Sequence, residues 1–90
     1  MGTALLKIKI MPESPDADLE AIENKSKEIV KEKGGKNPST VREPIAFGLN
    51  AVIINFSMDE SLSVDEFEDS LKEIEQVNST EVVDFRRAFG

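Results

Sequence analysis

The segment Leu49–Phe56 constrains this chain most, because Val52, Ile54 and Phe56 alternate there against Asn50, Ile53 and Asn55. A period of two marks a strand with one face in a core and the other toward solvent. Such a strand needs pairing partners and a covering layer, and the flanking sequence supplies both. From Leu5 to Met11 the chain alternates again, with Leu6, Ile8 and Ile10 against Lys7 and Lys9, until Pro12 ends the run. A third extended stretch runs from about Thr40 to Phe47. Pro44 interrupts it, and proline cannot donate to a ladder, so this strand belongs at a sheet edge. A last strand is expected from Thr80 to about Arg86, with Val83 and Phe85 facing inward.

Two helical patterns separate these strands. Ser14-Pro15 has a capping hydroxyl followed by proline at the first helical position. Leu19, Ile22, Ser26, Ile29 and Val30 then recur at helical spacing, and Gly34-Gly35 supplies a left-handed stop. Ser63-Val64-Asp65-Glu66 has the form of a capping box, with Val64, Phe67, Leu71 and Ile74 as the buried stripe behind it. The order is β-α-β-β-α-β. It predicts an α+β, ferredoxin-like sandwich in which a four-stranded antiparallel sheet carries two helices on one face, with residues 1–90 as a single domain.

Composition narrows the function. The chain has neither cysteine nor histidine, which removes the most common general base, the usual partner of a nucleophile and the thiolate and imidazole metal ligands. Covalent catalysis, a cofactor and a resident metal are therefore not expected. No stretch approaches the ~20 apolar residues of a membrane span, and no charged-then-apolar leader opens the chain. A cytoplasmic protein without membrane contact is the expectation. The net charge is −7, and residues 59–76 alone hold eight acidic side chains against Lys72, while the remainder balances. That disfavours direct nucleic-acid binding, which needs a concentrated positive surface. The chain then turns basic at Arg86-Arg87.

Several motif readings fail on their own chemistry. The acidic run Asp59–Asp69 lacks the alternating ligands and central glycine of a calcium loop, and suits the solvated N-terminal turn of a helix. Gly34-Gly35-Lys36 follows a helix rather than opening one, so its N–H groups are not arranged for phosphate. An RNA-recognition sheet needs stacking aromatics, and the chain has no Tyr or Trp. Two features remain. In Pro44-Ile45-Ala46-Phe47-Gly48-Leu49 an aromatic sits between small residues beside a turn, and it is either tucked into the core of a hairpin or offered to a partner. The terminal Arg86-Arg87 is either a solubilising end or a positive tip.

These two features resemble the guanine-nucleotide exchange domain of translation elongation factor one beta, particularly its short archaeal form. The likeness covers nearly the whole chain. It is sharpest at Pro44-Ile45-Ala46-Phe47-Gly48-Leu49 and extends to the following apolar strand, the acidic turn at Asp59-Glu60 and Ser79-Thr80-Glu81-Val82. The resemblance implies an exchange factor that promotes GDP release and GTP loading of translation elongation factor one alpha, the GTPase that carries aminoacyl-tRNA. It implies partner contacts at Phe47 and at Pro44 and Gly48 of the same motif. It further implies a basic residue entering the GTPase's magnesium site, the position of Arg87, with Arg86 able to share that role. In the proposed strand order these contacts lie at opposite ends of strands roughly 17–20 Å long. The alternative is a small-ligand or regulatory module that dimerises through an open strand edge. A carboxylate-based phosphatase on the same fold would need a phosphate cradle that the sequence does not offer.

Overall fold

The pleated alternation seen in the sequence becomes a sheet whose inner face is sealed by two helices in the computed structural model, which describes residues 2–88. The elements are β1 (Thr3–Pro12), α1 (Leu19–Glu32), β2 (Lys36–Pro44), a 3₁₀ turn at Ala46–Gly48, β3 (Asn50–Asp59), α2 (Val64–Lys72) and β4 (Val77–Ala88). The sheet order is β2-β3-β1-β4, with every neighbouring pair antiparallel. This is the ferredoxin-like α+β fold, with β2 at an edge as Pro44 requires. No helix among the described residues is long and apolar enough to cross a membrane.

The core follows the pleat. Ala4, Leu6, Ile8 and Ile10 of β1 and Val52, Ile54, Phe56 and Met58 of β3 are buried against Ile22 and Val30 of α1 and Phe67 and Leu71 of α2. The rings of Phe56 and Phe67 meet at 4.8 Å between centroids, tilted by 41°, a favourable aromatic arrangement. Asn50 shares the pleat of Val52 rather than that of Ile53 and Asn55, since residues two apart face the same way. All four strands are longer than expected. At ~3.3 Å per residue they span about 30 Å or more, beyond the 17–20 Å of an ordinary strand.

Other boundaries moved for identifiable reasons. α1 begins after Asp18, not at Ser14-Pro15. The Ala17 N–H closes a turn onto the Ser14 carbonyl at 3.2 Å, with Pro15 inside it. Asp18 then caps the helix by accepting from the Ala21 N–H at 3.1 Å, while its own N–H donates to Gln76 Oε1 at 3.0 Å. At the far end Gly34 takes φ +97°. The Gly34 N–H returns to Lys31 and the Gly35 N–H to Val30, the paired bonds of a Schellman stop. Ser63 caps α2 by position, but its side chain makes no capping bond. Phe47 lies outside β2, because Pro44 ends that strand.

Val83 and Phe85, expected inward, are 45% and 43% exposed. The register shifts between Lys7 and Ile8, so that Ile8 opposes Val82 while Lys7 opposes Asp84, leaving Val83 as the extra residue of a bulge. Phe85 does share the face of Leu6, its register partner, but edge strand β4 leaves the ring half open.

One polar tie joins α1 to the edge strand. Glu23 accepts from Arg42 Nη2 at 3.0 Å and from Thr40 Oγ1 at 3.1 Å. The Arg42 hydrogen bond, aided by Thr40, holds the Glu23 carboxyl below its ordinary range. A depressed carboxyl pKa stabilises the fold above the unfolded value and loses that effect as pH falls through the folded one. Glu23→Gln should therefore cost up to about 1 kcal/mol near pH 7, and denaturant melts should show the gap to wild type closing below roughly pH 4. A second substitution probes the helix stop. A methyl group at Gly35 would run into Val30 Cγ1 and sit 3.1 Å from Phe56 Cδ2. Gly35→Ala should lower unfolding stability by about 1–3 kcal/mol in the same melts.

Candidate functional site

The residues singled out by sequence lie at the two ends of the sheet. At one end, Pro44 pairs with Asn50 and closes β2. The Ile45 N–H donates to the Leu49 carbonyl at 2.7 Å, and the Leu49 N–H reaches back to Ala46 at 3.4 Å. Within this closed loop Phe47 adopts φ 62°, ψ 31°, and Gly48 follows with φ 77°. Left-handed backbone is natural for glycine but disfavoured for a bulky side chain by about 1–2 kcal/mol. The result is a phenylalanine 95% exposed at the tip of the molecule. Of the two placements that the sequence left open, the core one is not observed: Phe47 is exposed.

At the other end, β4 carries Arg86 opposite Leu5 and Arg87 opposite Ala4. Paired residues share a face, so Arg86 lies on the open side of the sheet with exposed Leu5, and Arg87 on the helical side with buried Ala4. The ion pairs agree. Arg86 Nε sits 3.1 Å from Asp84 Oδ2, two residues back on the same strand. Arg87 Nε sits 3.5 Å from Glu60 Oε1 in the turn between β3 and α2. The two guanidinium groups therefore point to opposite faces of the sheet. The sequence offered no sign of either carboxylate partner beyond the acidic character of the Asp59-Glu60 turn.

Ala4 also opposes Met58 of β3, whereas Pro44 opposes Asn50. Eight residue steps of β3 separate these levels, about 26 Å at ~3.3 Å each. The structure thus separates the strand levels of Pro44 and Arg87 by roughly that length, and brings Pro44 and Gly48 together with Phe47. Between the ends, a shallow concavity of about 400 Å³ on the open face is lined by Leu5, Lys7, Asn37, Asn55, Ser57 and Arg86, among others. Among the described residues, no group of three or more carboxylate, imidazole or thiol side chains could hold a metal ion.

The family model described as the EF-1 guanine nucleotide exchange domain matches residues 5–88. Among curated proteins, the chain is 42% identical to the elongation factor 1-beta of Methanothermobacter thermautotrophicus, covering 97% of this chain and 98% of that protein. It is 39% identical to that of Nanoarchaeum equitans, covering 90% and 100% respectively. The likeness to that of Methanococcus vannielii is 38%, covering 93% and 96%.

The exposed turn has its own test. A methyl group at Gly48 would meet nothing within 4 Å, so only its φ of 77° resists substitution. Gly48→Ala should cost about 1 kcal/mol in denaturant melts, through backbone strain alone.

Proposed function

The chain belongs to the EF-1 guanine nucleotide exchange family and is an exchange factor of translation elongation; on that premise we propose that it grips translation elongation factor one alpha lengthwise, by Phe47 at one end of the sheet and Arg87 at the other. The observation that carries this reading is Phe47, an aromatic 95% exposed on a left-handed backbone at the tip of a closed turn. Strain of this kind persists where the surroundings enforce it, and commonly at binding sites. Covering such a ring with a partner would contribute about 1.5–3 kcal/mol. Pro44 and Gly48 serve by fixing the turn.

Arg87 supplies the charge. A GTPase holds its nucleotide through phosphate contacts and a bridging Mg²⁺. A guanidinium brought to that ion repels it and competes for its oxygen ligands, without proton transfer or a covalent step. Accelerating GDP release by ~10³–10⁵ means lowering the barrier by about 4–7 kcal/mol, more than one exposed side chain can supply. Contacts at both ends of the sheet are therefore needed. Linkage also sets the exit: whatever weakens nucleotide on the complex weakens the factor's grip when nucleotide rebinds.

The same reading gives residues 1–90 the role of a single exchange domain working in the cytoplasm, beside the ribosome. It needs no direct nucleic-acid contact, which the acidic 59–76 segment opposes. Arg86, on the opposite face of β4, has a supporting role rather than a duplicate one.

The test is release of a fluorescent GDP analogue from the cognate GTPase. Wild type should accelerate release, while Phe47→Ala and Arg87→Ala should each lose at least ~10-fold, as central contacts do. Arg86→Ala should lose less. Because the ends are about 26 Å apart, the two large losses should add in free energy within ~0.5 kcal/mol. No acceleration by wild type at saturation would overturn the reading.

A further inference from the structure

The geometry points to Glu60 as a positioning residue for the exchange reaction: its carboxylate holds the Arg87 side chain at the end of the sheet with the outer nitrogens of the guanidinium turned to the partner. This inference rests on the reading of Arg87 as the basic tip.

Glu60 sits in a turn fixed from both sides. Asp59 Oδ1 accepts from the Ser61 N–H at 2.9 Å, and the Leu62 N–H closes onto the Asp59 carbonyl at 3.0 Å. These bonds to Ser61 hold the Asp59 carboxyl below its ordinary range, so it remains an acceptor. The Glu60 N–H donates to the Gly2 carbonyl at 3.0 Å, tying the turn to the start of β1. The Glu60 carboxylate then lies over Gly2, in space that any Cβ there would occupy. From that seat it reaches Arg87 Nε at 3.5 Å. Nε is the inner nitrogen of the guanidinium, and the Arg87 side chain stays 69% exposed.

The weakness of the contact suits the task. A free arginine side chain gives up substantial rotamer freedom when it docks, and a carboxylate that narrows its range beforehand removes part of that loss. An exposed ion pair changes an equilibrium by only about two- to fivefold, so Glu60 yields Arg87 readily to the anionic site of a GTPase. Arg86 has no such cross-element support, since its carboxylate lies on its own strand.

The experiment measures GDP release at increasing factor concentration, at low salt, for wild type, Glu60→Gln, Gly2→Ala, Arg87→Ala and the Glu60→Gln/Arg87→Ala pair. Glu60→Gln should lower the saturating rate about two- to fivefold, with the half-saturating concentration and the thermal midpoint unchanged. Gly2→Ala, which displaces the carboxylate without removing its charge, should shift the rate the same way. The double variant should be no slower than Arg87→Ala alone, and added salt should narrow the gap between wild type and Glu60→Gln. Wild-type rates for Glu60→Gln would overturn the inference, as would a Glu60→Gln effect that persists without Arg87. If Arg87→Ala itself exchanged as fast as wild type, the reading of Arg87 would fail first, and that single variant reports it separately.

Discussion

The register of β1 between β3 and β4 is the constraint on which the other features depend. Ala4, Leu6, Ile8 and Ile10 turn to the helices and are almost wholly buried. Val52, Ile54, Phe56 and Met58 on one neighbour meet them with a single uninterrupted register. A slip of one residue would put this apolar set into solvent, so the pairing is fixed by burial along the whole strand. The same pairing decides the function-bearing end. Arg87 lies on the helical side, toward Glu60, only because Ala4 lies there, and Arg86 faces the open side because Leu5 does.

Both candidate contacts occur where that core runs out. Beyond Pro44 no ladder continues, and the loop closes on its own backbone bonds around Ile45, Ala46 and Leu49. This fixes a strained Phe47 without burying it. At the opposite end the β3–α2 turn is held by Asp59 and by the Gly2 carbonyl, again largely by local bonds. The sheet between them acts as a spacer of about 26 Å. On the proposed two-ended grip, a rigid spacer matters. Flexibility between the contacts would subtract ordering entropy from the binding that opens the nucleotide site.

Periodicity made most of this fold legible. The alternation of Leu6, Ile8 and Ile10 and of Val52, Ile54 and Phe56 specified both central strands, and Pro44 marked the edge. Local chemistry was less decisive where two good signals competed. Ser14-Pro15 and Asp18 both suit a helix start, and the choice depended on Gln76, a residue distant in sequence whose Oε1 accepts from the Asp18 N–H. Val83 misled because a bulge cannot be read from one strand; it exists only in the pairing with Lys7 and Ile8, whereas Phe85 does face inward but on an edge strand that leaves it half open. The candidate site was legible in its residue types and in its placement at opposite ends of the sheet, but not in its local geometry. No local pattern marks Phe47 as left-handed, and nothing in the sequence joins Glu60 to Arg87.

The charge distribution gives the two ends distinct work. The whole net charge of −7 resides in residues 59–76, a stretch that begins at the turn beside the basic tip and runs along α2. At physiological salt such a field decays within about 8 Å, so in the proposed complex the carboxylates beyond that range weigh little beside the guanidinium of Arg87. The acidic surface meanwhile opposes polyanions that approach from the side. Phe47 carries no charge of its own, so its ring does not discriminate between nucleotide states by electrostatics. On the proposed reading its binding energy is spent on holding Arg87 against the nucleotide site, as binding remote from a reacting centre can be. On that reading the electrostatic difference between states comes from Arg87, whose contact would strengthen as the magnesium ion leaves. A weak partner such as Glu60 serves that difference better than a strong one, because it orders the side chain and still lets it go.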